Sequence, residues 1–114
     1  MEKFKTAFMV HAPDAEVSKH KCQIETGMYQ LFVQLVRSQQ EALEVARKLV
    51  LEEGVHSIIL CPGFTYKDVA EIQSAVEGKA AICMSHSDPP GSRITGAAMK
   101  RAGWFKTGDA LRVP

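Results

Sequence analysis

Between residues 28 and 84 the chain alternates apolar runs with capped helical periods, and this alternation constrains its fold more than any other feature. The run 28–36, MYQLFVQLV, is rich in β-branched and aromatic residues and reads as a strand. Ser38 and Glu41 then form an S-x-x-E capping box, in which each side chain satisfies an otherwise unpaired backbone N–H of a helix start. Ala42, Val45, Ala46, Leu49 and Val50 follow at i, i+3, i+4, i+7 and i+8, the spacing of one buried helical stripe, and Gly54 supplies a left-handed stop. The run 56–61, HSIILC, is a second apolar strand of this series. It passes through Pro62-Gly63-Phe64 into a helix with Thr65 as N-cap, Asp68 three residues on, and Phe64 and Val69 placed for a hydrophobic staple. Val69, Ile72, Ala75 and Val76 form its stripe, Gly78 ends it, and 80–84, AAICM, is another strand. Strand–helix–strand–helix–strand with short connections implies right-handed crossovers and a parallel sheet.

The flanks are less regular. Residues 4–10, FKTAFMV, carry apolar side chains at both parities, which suits an interior strand whose direction the pattern leaves open. Residues 11–27 break every period and read as a long connection with one helical turn. After the breaker SDPPGS, a short helix is predicted near 93–102, stopped by Gly103, with a small hairpin around Thr107-Gly108-Asp109. The expected fold is a single α/β domain. It has a four-stranded, mainly parallel sheet, two long amphipathic helices and a short C-terminal helix/hairpin tail. Residues 1–88 form its core, and 89–114 form a basic extension that packs on the same domain or on a neighbouring subunit.

Composition removes several function classes. A net charge of +1 gives no global field for a nucleic acid or an anionic membrane. The cations Arg93, Lys100, Arg101, Lys106 and Arg112, with Trp104 and Phe105, suggest stacking and phosphate contacts. Their density is too thin for that role, and a solvated face with an anchoring Trp-Phe pair is the preferred reading. The three cysteines, Cys22, Cys61 and Cys83, form no C-x-x-C pair and cannot all pair internally, which suits a reducing cytoplasm. The N-terminal apolar run is too short for a signal segment, and no stretch approaches a membrane span.

In a parallel sheet, ligands bind beyond the carboxyl ends of the strands, where helix N-termini present free N–H groups. That edge gathers Cys61, Gly63, Phe64 and Thr65 from one loop and Ser85 and His86 from the next. His11 joins them if the first strand runs parallel to the others. Cys61 beside a helix N-terminus is a candidate thiolate, and His86, with Asp88 two residues on, is a candidate acid–base group. Each residue also has a purely structural role open to it: Gly63 makes the turn, Thr65 caps, Phe64 staples, and Cys61 is buried and inert. No metal-ligand pattern, phosphate loop or hydrolase nucleophile motif occurs, so no metal is expected and no cofactor is indicated.

Ala12-Pro13, Ile24-Glu25-Thr26 and Leu60-Cys61-Pro62-Gly63-Phe64 resemble landmarks of a small prokaryotic family of domains of unknown function, over residues 4–86. Against that family's pattern, Pro62 stands where glycine is expected and Ile59 where an acidic residue is expected. The resemblance implies the α/β fold and draws Glu25 into the candidate site alongside Cys61, without implying a reaction. The leading expectation is a cytoplasmic homo-oligomer that binds a small polar or anionic metabolite at the strand ends. A small enzyme using Cys61 or His86 is one alternative, and a scaffold acting through 89–114 is another. Oligomerisation is expected because both long helices fall on one sheet face. The other face is then left to the 11–27 connection and a tail carrying Trp104, Phe105, Leu111 and Val113.

Overall fold

A computed structural model describes residues 2–106. Five strands, β1 Phe4–His11, β2 Lys21–Glu25, β3 Tyr29–Val36, β4 Ser57–Leu60 and β5 Ala81–Met84, form one sheet in the order β2-β3-β1-β4-β5. Helices α1 Gln39–Leu51 and α2 Tyr66–Ala75 are the two crossovers, and α3 Pro89–Arg101 with a 3-10 turn Trp104–Lys106 follows β5. The chain is thus a single α/β domain. Strand β1 lies at the centre, parallel to both β3 and β4, and β5 is parallel to β4.

Three sequence expectations change. The sheet is five-stranded and mixed, because 21–25, read as part of the connection, pairs antiparallel with β3. The strand KCQIE does alternate, with Cys22 and Ile24 on one side and Lys21, Gln23 and Glu25 on the other, but three polar residues in five hide the pattern. Its turn is made by Thr26, whose hydroxyl accepts from the N–H groups of Met28 and Tyr29 at 3.3 and 3.0 Å while its own N–H donates to the Tyr29 carbonyl. Among the described residues the third helix, α3, is not short: at 13 residues it equals α1. Helix α3 starts at Pro89, earlier than expected, because proline in a first turn lacks only an N–H that the helix does not use. The expected hairpin around Thr107 lies outside the described residues. The remainder of the connection does hold a helical turn, with the Glu16 carbonyl accepting from both Lys19 and His20 N–H.

The caps form as the spacing predicts. Asp68 N–H donates to Thr65 Oγ1 at 3.1 Å and Thr65 N–H to Asp68 Oδ2 at 2.8 Å, a reciprocal box. Ser38 accepts from Glu41 N–H, but the Glu41 carboxylate reaches one residue further back, to Arg37 N–H at 2.7 Å. Right-handed crossovers that both progress from β3 toward β5 put α1 and α2 on the same face. There Ala42, Val45, Ala46, Leu49 and Val50 of α1 and Ile72 of α2 bury against Ala7, Met9, Phe32, Ile58 and Leu60. A fully buried aliphatic side chain of this kind contributes roughly 1.5–3 kcal/mol. By contrast, α3 has no buried residue.

Candidate functional site

The parallel register brings the ends of β1, β4 and β5 to one edge. Residue His11 ends β1 and is 1% exposed. Its N–H donates to Cys61 Sγ at 3.4 Å, and Cys61 N–H donates to the Met9 carbonyl. On the other side, Ser85 N–H and Ser85 Oγ both donate to the Leu60 carbonyl, at 3.0 and 2.6 Å. The imidazole of His11 stacks on Phe64 with ring centroids 3.9 Å apart. The three loops are thereby tied together by backbone and side-chain hydrogen bonds and one ring contact.

Beyond this edge lies a cavity of about 510 Å³. Its floor is Val10, His11, Cys61, Pro62, Gly63, Met84, Ser85 and His86, and Ser87 leads to its wall. That wall is one stripe of α3, Ser92, Thr95, Gly96 and Met99, completed by Trp104. The indole Nε1 of Trp104 is buried and has no hydrogen-bond partner among the described residues. Among the described residues the lining holds no Asp, Glu, Lys or Arg. Hydroxyls, imidazole and an indole N–H are set in an otherwise apolar surface, so the chemistry on offer is hydrogen bonding rather than ion pairing.

Of the residues named from sequence, the cavity lining brings together His11, Cys61, Gly63, Ser85 and His86. Phe64 is buried behind His11, and Thr65 is committed to its cap. Glu25 is remote. It pairs in register with Gln30, beside Lys5 near the start of β1, and forms an ion pair with Lys3 at 2.8 Å. Gly63 is not among the positive-φ residues, so the turn needs no left-handed residue there. Cys61 is buried, whereas Cys22 and Cys83 are the exposed thiols. No hydrogen bond joins His86 to Asp88 among the described residues, which leaves the imidazole without the orienting partner its spacing suggested. The α3 wall was not anticipated. Its signal is the i, i+3, i+4, i+7 spacing of residues 92, 95, 96 and 99, which a helix start at 93 conceals.

A second cavity, about 470 Å³, runs along β2 and the last turns of α1. Lys21, Lys48, Glu52 and Glu53, all exposed, surround it, and its mixed charge selects no ligand class. Among the described residues no group of His, Cys, Asp and Glu is placed to hold a metal ion, and no helix is long and apolar enough to cross a membrane.

No curated protein and no solved structure matches the chain. A family model does match, over residues 4–97, which runs from the first residue of β1 into α3 and so beyond residue 86, the limit of the sequence resemblance. That family is DUF6506, a family of unknown function, and the chain, matched over most of its length, belongs to it.

Proposed function

We propose that this protein binds a small metabolite in the strand-end cavity, with an apolar body against Met84, Met99 and Trp104 and a polar end rich in acceptors, such as a carboxylate. The carrying observation is the Trp104 Nε1, buried and without a partner among the described residues, in a cavity whose other polar side chains are hydroxyls, imidazoles and one thiol. A buried donor without an acceptor costs about 1–3 kcal/mol, and a ligand oxygen would recover it. With no carboxylate in the lining among the described residues, an anionic end meets no repulsion from them. Two exposed unpaired thiols suit the reducing cytoplasm as its location.

Binding is supported better than catalysis. The Cys61 sulfur already accepts the His11 backbone N–H, the Ser85 hydroxyl donates to the Leu60 carbonyl, and no carboxylate among the described residues orients His86. The chain has one tryptophan, so fluorescence excited selectively at tryptophan, where the two tyrosines do not absorb, reports on the cavity that Trp104 lines. Small carboxylic acids of increasing apolar size, each paired with its neutral amide, should be titrated against that signal and against thermal stability. Saturable quenching by the acids, with weaker binding in His86→Ala at unchanged melting temperature, is expected. A panel in which no member alters either signal overturns the reading.

A further inference from the structure

The sheet has a second face, and its composition is unlike that of an ordinary water-facing surface. In-register pairing lays residues across all five strands in transverse rows. One row is Cys22, Val33, Phe8, Ile59 and Cys83. The next is Ile24, Leu31, Thr6, Ser57 and Ala81, where Thr6 shares a hydrogen bond with the Tyr29 hydroxyl. Neither row contains a charged side chain. Both α1 and α2 lie on the opposite face, and the segment before β2 is held there too, since its Val17 carbonyl accepts from the Gln34 side chain and Val17 packs against the core. On the face away from α1 and α2, Phe4 and Ile24 are 54% and 57% exposed, while Thr6 in the middle of the second row is buried.

Strand β2 is the most informative element. It lies at the sheet edge, and all five of its residues are exposed. If the core under α1 and α2 were the only core, the opposite face would be the one to carry Lys21, Gln23 and Glu25. The reverse holds: the charges are on the helix side, and Cys22 and Ile24 are on the bare side. The strand is patterned for burial on the face that α1 and α2 leave open among the described residues.

We propose that a second copy of this chain covers that face, sheet against sheet, about a two-fold axis near β1. Strands about 4.8 Å apart rising about 3.3 Å per residue give the sheet on the order of 500 Å² in projection. A symmetric pair buries twice that and the corrugation of its side chains, which reaches the roughly 1,200 Å² at which stable interfaces begin. The absence of charge from these two rows removes the like-charge repulsion that a two-fold pairing would otherwise impose on them. Residues 107–114, fully extended, would span about 26 Å and could lay one strand across a face five strands wide.

The face contains its own reporters. Cys22 and Cys83 stand at opposite ends of one row, and both are exposed in the single chain. The full-length protein should be examined by sedimentation velocity at rising concentration, with mass-spectrometric mapping of alkylation at each concentration. Dimer formation with parallel slowing of alkylation at Cys22 and Cys83 is expected. Val33→Lys, with its fold checked by circular dichroism, places two like charges in the interface and should weaken dimerisation by about a hundredfold or more. A monomer with fast thiols at every concentration overturns the proposal. So does a monomer whose thiols are slow at every concentration, which would put residues 107–114 or another segment over the face. A dimer whose Cys22 and Cys83 stay fast overturns it as well, whatever Val33→Lys does, because the contact then lies elsewhere.

Discussion

The ring of Phe64 lies on the imidazole of His11, with centroids 3.9 Å apart and planes inclined by 23°. One residue ends β1, and the other sits in the turn between β4 and α2, so the contact joins two strand ends that neighbour each other in the sheet. Phe64 is 4% exposed and belongs to the core, whereas His11 also lines the cavity. Packing and site therefore share a wall. Phe64→Ala should cost about 3–5 kcal/mol in chemical denaturation and weaken any ligand read by Trp104. Ligand affinity unchanged in a folded variant would separate the stack from the site.

Thr65 is a structural residue by its bonds. Thr65→Ala removes the acceptor for Asp68 N–H and should cost about 1 kcal/mol, the usual value of an N-cap. Serine at this position keeps the oxygen and should restore nearly all of it. Denaturation midpoints for the three proteins measure this, and an alanine variant as stable as the parent would remove the capping argument.

The thiols should react in an order opposite to the one their sequence context suggests. In dilute protein, Cys22 and Cys83 should be alkylated well before Cys61, whose sulfur is enclosed and bonded to His11 N–H. Mass spectrometry of a time course under native conditions decides it. Early labelling of Cys61 would mean that the strand edge opens to solvent.

Glu25 offers a negative control. Its ion pair with Lys3 is surface-exposed, so Glu25→Gln should change stability by less than about 1 kcal/mol. It should also leave the Trp104 signal of any ligand unaltered, because Glu25 stands at the other end of the strands from the cavity. A substantial loss of ligand affinity in this variant would require a second site near β2.

The two crossover helices, their caps and their buried stripes were legible because each depends on residues within one or two turns of each other. Ser38 with Glu41, Thr65 with Asp68, and the spacing of Ala42 through Val50 are local patterns, and tertiary packing had only to accept them. Where local pattern was weak, the reading went astray. The alternation in β2 is carried by two apolar residues, and its pairing with β3 depends on the Thr26 turn. The prolines before α3 read as a break when they are the helix's first turn.

The candidate site divides in the same way. That the strand ends would gather Cys61, Gly63, Ser85 and His86 followed from the order of strands and helices alone, since a parallel sheet points all its carboxyl ends one way. Only the folded chain decided that β1 is central and parallel, which brings His11 to Cys61, and that Glu25 is carried to the far end. It also decided that α3 and Trp104 wall the cavity. These are relations between residues tens of positions apart, set by strand order and register. Hydrophobic period records which side of an element is buried, but it does not record which element buries it.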